Sequence, residues 1–222
     1  MSISDNLHTI KDNLPNNVKL IAVSKFHSVE AIQEAYSIGQ RLFGESRMQE
    51  IDQKYSLLPN DIQWHFIGHL QTNKVKVIVP YTHTIHSVDS LKLLQEIEKQ
   101  AAVIGKQICC LLEIHIAREE AKYGLSFDEC RKLLQDGLHN DLKYAYIGGV
   151  MGMATFTEDE SQIRKEFKSL KSFYDELKKD YFPENDLFSE ISMGMSDDYT
   201  IAIEEGSTMI RVGSSIFGQR EY

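Results

Sequence analysis

A short apolar, β-branched run, a break, and a longer segment with apolar residues at helical spacing form a unit that recurs along almost the whole 222-residue chain. No other feature constrains the fold as strongly. KLIAVSKF (19–26) is followed by SVEAIQEAYSIG (28–39), where Ser28 is placed to cap a helix whose Val29, Ile32, Ala35 and Tyr36 share a face and Gly39 ends it. RLFGES, IQWHFIGHL and HTIHSVDS each precede a helical segment, the last ending at Gly105. The second half repeats the rhythm with QICCLLEIHIA, YAYIGGVMGMA, LFSEISMGM and finally MIRVGSSIFG. Alternating strands and helices call for a parallel sheet, and about eight units in this length predict a closed (β/α)8 barrel over a doubly wound open sheet, the rival pattern. No Gly/Ser/Pro-rich stretch marks a linker, so residues 1–222 read as a single domain, with 1–17 as a helical N-terminal extension.

Twenty-four Lys plus Arg against thirty-three Asp plus Glu leave a net charge of −9, which disfavours phosphate backbones and anionic lipid as partners. A local basic pocket for a small anion stays open. The three cysteines, Cys109, Cys110 and Cys130, lack the spacing of a disulfide framework or a zinc site and read as reduced core thiols. The N-terminus carries no basic start before an apolar block, and no apolar run reaches the roughly 20 residues a bilayer requires, so a cytoplasmic location is expected.

In a barrel the chemistry sits at the C-terminal ends of the strands. The residues there are Lys25, Ser46, His69, Ser87 with Asp89, Met153, Ser192 with Ser196, and Arg211 with Gly213. Lys25 closes the run LIAVSK. A desolvated amine at a strand end is a nucleophile toward aldehydes, although an isolated lysine there more often just snorkels to water. In SMGMSDD (192–198), Gly194 admits a ligand to the backbone and Ser196 or Asp197 is placed to cap the next helix. In IRVGSS, Gly213 and Ser214 supply amide and hydroxyl donors, so the last two connections resemble a phosphate cup opposite Lys25. Either turn alone reads as an ordinary Ser/Gly turn. His65, His69, His83, His86 and His115 are not spaced for metal, and the chain has no dinucleotide, Walker or nucleophile-elbow motif.

AVSKF, LFGES, WHFIGHLQTNK, HSVDSLKL, SMGMSDD and IRVGSSIFGQR, in this order over nearly the whole chain, resemble the pyridoxal phosphate homeostasis proteins, which are similar in fold to the N-terminal TIM-barrel domain of alanine racemase. The resemblance implies pyridoxal 5′-phosphate (PLP) held as a Schiff base, a role in vitamin B6 and amino-acid balance, and no established turnover. It assigns Lys25 to the Schiff base, Ser192, Gly213 and Ser214 to the phosphate, and Arg211 to the pyridine nitrogen. Ser46 stands where the family usually has asparagine, AVSKF departs from the usual lysine-threonine-lysine-proline run, and EIHIAREEAKYGL keeps only a glutamate, lysine and glycine skeleton. An arginine cannot take a proton from the ring, which leaves the pyridine a poor electron sink, and the chain ends at Tyr222 with no room for the racemase's second domain. The expectation is therefore a monomeric PLP carrier rather than an enzyme, passing its cofactor to PLP-requiring apo-enzymes. An amino-acid racemase and a barrel binding another phosphorylated metabolite are the alternatives.

Overall fold

The computed structural model describes residues 2–119 and 123–219. Eight parallel strands close a barrel in sequence order: β1 Lys19–Val23, β2 Leu42–Glu45, β3 Gln63–Phe66, β4 Thr82–Val88, β5 Ile108–Ile114, β6 Ala145–Gly152, β7 Glu190–Ser192 and β8 Met209–Val212. The helices are α1 Ile3–Asp12, α2 Val29–Ser37, α3 Met48–Tyr55, α4 Val75–Ile78, α5 Leu91–Ile104, α6 Phe127–Gln135, α7 Glu160–Asp180, α8 Tyr199–Glu204 and α9 Ser214–Phe217. The alternation read from the sequence is this barrel, and the open sheet is excluded by the pairing of β8 with β1.

Local chemistry sets the element ends. Ser28, Ser90 and Ser126 each accept an amide N–H in the first turn of α2, α5 and α6, and Gly105 stops α5 at a φ of 65°. Ile32 and Ala35 of α2 are fully buried, as the helical spacing requires. Neither Ser196 nor Asp197 caps α8. Asp198 occupies the N-cap position and its carboxylate accepts the Met195 amide, while Ser196 turns toward β8. The segment 71–81 yields only a 3-10 turn at Thr72–Lys74 and the single turn of α4, because the β-branched run ends at Pro80.

Two apolar layers follow from strand alternation. Outward residues such as Ala22, Phe43, Trp64, Ile85 and Cys110 pack beneath the helices, whereas Ile21, Cys109, Leu111, Met151 and Met209 fill the barrel. At Gly149, with a φ of 152°, a Cβ would lie 1.8 Å from the Glu190 carbonyl oxygen, so β6 reaches β7 only with glycine there. The helix α8 is short and α9 has one turn. The N-terminal α1 packs between α2 and α9, with Leu7 and Ile10 buried and the Asn6 side-chain amide donating to the Ile216 carbonyl at 2.9 Å, and so completes the outer ring.

Candidate functional site

The strand C-terminal ends gather Lys25, Arg211, Gly213 and Ser214. The register Ala22 against Val212 sets β1 beside β8, and a Cβ on Gly213 would approach Val23 Cβ and its carbonyl oxygen at 3.3 Å. The turn into α9 is thus pressed against the strand end from which Lys25 departs. The Gly213 amide donates to Ser196 Oγ at 3.2 Å, which ties the β7 and β8 loops together, and Ser214 is exposed at the rim.

The segment carrying Lys25 is clamped from below by a buried ionic cluster. Lys54 of α3 donates to Glu45 Oε1 at 2.8 Å, to Glu50 Oε2 at 2.8 Å and to the Ser24 carbonyl at 3.0 Å. The Ser24 hydroxyl donates to Glu45 at 2.7 Å and the Phe26 amide to Glu50 at 2.6 Å. Phe26 itself turns the chain at a φ of 68°, a left-handed conformation a phenylalanine rarely adopts. The residues on both sides of Lys25 are therefore fixed by side chains of β2 and α3. Burial raises Glu45 to about 7 despite its Lys54 partner. Glu45 lies within the LFGES run and Lys54 in no motif, and nothing in the sequence pairs them; the only trace of the cluster there is a lysine on the inward face of α3.

Arg211 is 5% exposed, inside the barrel mouth. Its guanidinium donates to the Ser192 carbonyl at 2.9 Å, to Ser192 Oγ at 2.6 Å and to the Gly152 carbonyl at 3.2 Å. Burial draws it down to about 10, opposed by Asp198 and Glu113, so it stays cationic at neutral pH. The Ser192 hydroxyl is fully buried and also meets His86 Nδ1 at 3.0 Å. Ser192 thus lies a layer below Ser196, Gly213 and Ser214, and its hydroxyl is committed to Arg211 and His86. Glu113 of β5, pushed up to about 7 by burial and by Asp89, faces the same mouth. Met153 packs against the inner barrel cluster, while Asp89 faces His69 at 3.6 Å and His69 stacks on Tyr123. Ser46 borders a separate cavity with Arg47, His69 and Lys74, and the Ser87 hydroxyl is buried in β4. Of the glutamate, lysine and glycine skeleton, Lys122 lies outside the described residues, as do Arg220 and Tyr222. Among the described residues no group of three or more His, Cys, Asp or Glu is placed to hold a metal ion.

The alanine racemase N-terminal domain family model matches residues 1–221. A protein of Aquifex aeolicus named pyridoxal phosphate homeostasis protein is 38% identical over 208 residues, covering 93% of this chain and 89% of its own length. The chain belongs to the pyridoxal phosphate homeostasis protein family. Among solved structures, PipY of Synechococcus elongatus without PLP superposes with a TM-score of 0.92 at 36% identity, covering 98% of this chain and all of PipY. Its PLP-bound form gives 0.89 at 35%. Clostridium difficile alanine racemase, at 18% identity and a TM-score of 0.79, shares the fold: the chain of this homeostasis family spans 60% of that enzyme.

Proposed function

We propose that the chain binds PLP at the C-terminal mouth of its barrel, joined to Lys25 as a Schiff base, and serves vitamin B6 and amino-acid homeostasis as a single-domain cytoplasmic carrier. The observation that carries this reading is the donor set. One amine, one buried guanidinium and a turn of amide and hydroxyl donors surround the same mouth, matching an aldehyde, a pyridine nitrogen and a phosphate. PipY, described as PLP-bound, supports the cofactor, and relatives named homeostasis proteins support the role.

In this reading the cofactor supplies reversible carbonyl–amine chemistry, and the protein's own residues bind and orient it. Ser214 and the Gly213 turn hold the phosphate, the Gly213 amide exchanging Ser196 Oγ for a phosphate oxygen when the cofactor binds. Arg211 donates a hydrogen bond to the ring nitrogen and cannot accept its proton. Ser192 belongs to the site by fixing Arg211, since its one hydroxyl hydrogen has a buried partner. The network beneath Ser24 and Phe26 holds the Lys25 segment in place.

Mixing apo-protein with PLP is expected to give a visible absorption band that borohydride removes, with the label mapping to Lys25 and both signals lost in Lys25→Ala. A specific label on another lysine would overturn the assignment. Carrier and racemase readings separate on L-alanine in deuterium oxide followed by NMR. The carrier reading expects Cα–H exchange no faster than free PLP produces, and a rate on the order of 1 s⁻¹, ordinary for enzymes, would replace it with a racemase. Transfer to an apo-enzyme partner, and a monomeric mass in solution, are the companion measurements.

A further inference from the structure

The opposite end of the barrel holds a second opening. A cavity of about 310 Å³ is framed by the first residues of the strands, Lys19 of β1, Leu42 of β2 and Met209 of β8 among them, and His65 lines it. His65 is 3% exposed, and its Nε2 has no hydrogen-bond partner among the described residues. A buried polar nitrogen without a partner, on a residue that lines an opening, points to a ligand atom that supplies one.

The polarity of that nitrogen follows from a chain of hydrogen bonds running the length of the barrel. Arg211 has only hydrogens to give, so Ser192 Oγ accepts from it at 2.6 Å. The remaining contact of that hydroxyl is His86 Nδ1 at 3.0 Å, so the hydroxyl hydrogen points there and Nδ1 accepts. His86 is then protonated at Nε2, which donates to His65 Nδ1 at 2.9 Å. His65 in turn carries its proton at Nε2. Every contact in the relay is satisfied in this direction, whereas reversing it leaves the Ser192 hydrogen without an acceptor. Burial holds both imidazoles neutral. The relay therefore ends as a fixed N–H donor on the ring of His65, a residue that lines the N-terminal cavity.

We propose that this N-terminal cavity is a second binding site, for a small neutral molecule that offers a carbonyl oxygen to His65 Nε2–H and an apolar body to Leu42, Cys109 and Met209. A neutral acceptor fits better than a carboxylate. The cation at the rim, Lys19, is already paired with Glu190, and His83 is held toward its neutral form by burial, so an anion at His65 would be desolvated without a countercharge. Tyr146 and Leu187 are shared with a neighbouring cavity of about 570 Å³, which places the site next to open space rather than sealed within the barrel. The inference does not depend on the PLP reading, because it concerns the other face.

The test uses the full-length apo-protein with ¹⁵N-labelled histidine and isobutyramide as probe. Long-range ¹H–¹⁵N spectra are expected to show His65 and His86 as Nε2–H tautomers. Isobutyramide should shift His65 and His83 saturably, with a dissociation constant on the order of millimolar, the range open to so small a fragment, and isobutyrate should bind at least several-fold more weakly. Methyl NOEs from the probe to Leu42 and Met209 locate it in the unmodified protein, and Leu42→Trp should abolish the shift. An Nδ1–H tautomer at His65, or shifts that grow linearly without saturating, would overturn the proposal, the second result meaning that water alone completes the donor. Tighter binding of isobutyrate would overturn the neutral-ligand assignment.

Discussion

Two serines that the sequence places in equivalent strand-end positions have different physical roles in the structure. Ser192 is fully buried and bridges a guanidinium and an imidazole, whereas Ser214 is exposed at the first turn of α9. Removing the Ser192 hydroxyl leaves a buried donor and a buried acceptor unpaired, so Ser192→Ala should lower stability by about 1–3 kcal/mol, while Ser214→Ala should leave it unchanged. Urea unfolding of the two variants in the absence of cofactor checks this. If Ser214 contacts the phosphate as proposed, its alanine variant should instead lose roughly 10-fold in PLP affinity, equivalent to about 1.4 kcal/mol. Equal stability of both variants would contradict the relay, and unchanged affinity in Ser214→Ala would move the phosphate elsewhere.

Elements differ in how much of them local sequence determines. The α2 and α5 helices were legible because cap, apolar face and stop signal agree at Ser28 and Gly39 and at Ser90 and Gly105. β7 has only three residues although its apolar run is longer: Met193 and Gly194 still bond to β8, through the Met193 amide to the Met209 carbonyl at 3.1 Å and the Arg211 amide to the Gly194 carbonyl at 2.9 Å, but Gly194 at a φ of 95° turns the chain into the site loop. Lys25 and the turns at Gly213 and Ser214 could be placed from strand order alone. The β1–β2–α3 cluster could not, because Ser24, Glu45 and Lys54 meet only after the β1–α2–β2 crossover sets the two strands side by side and α3 folds back over them. The left-handed Phe26 likewise has no local signal, as its neighbours hold it there. That cluster makes its own prediction. Lys54 is 7% and Glu45 0% exposed, and removing one partner of such a buried pair costs about 3–5 kcal/mol. Because Glu45 titrates near 7 and can shed its charge, the lower end is expected for Lys54→Met, read by urea unfolding at pH 7. Loss of less than about 1 kcal/mol, the value typical of a surface pair, would mean that the cluster does not brace the Lys25 segment.

At the scale of the molecule the barrel interior combines buried groups whose titrations oppose one another. His65 is depressed to about 3 and His86 falls well below its ordinary 6.5, both through burial. Below pH 6.5 the unfolded chain takes up their protons and the folded one does not, so their contribution, present above 6.5, is lost as pH falls. Glu113 has the opposite sign. Its folded value of about 7 lies above the unfolded 4.5, so its stabilising contribution is complete below 4.5 and disappears as pH rises through about 7. Between pH 7.5 and 5 the two histidines lower stability as the unfolded chain takes up their protons, while Glu113 would restore roughly 2–3 kcal/mol, from about 1.4 kcal/mol per pH unit between its folded value and pH 5. The wild-type profile is consequently flatter than either part. Glu113→Gln, which keeps the shape and removes the titration, should steepen the loss of unfolding free energy between pH 7.5 and 5 by roughly 2 kcal/mol. Urea unfolding of both proteins at the two pH values measures the difference between slopes, which cancels any offset the substitution itself introduces. Parallel slopes would place the Glu113 carboxyl in the ordinary range and deny the barrel mouth a group that changes charge near neutral pH.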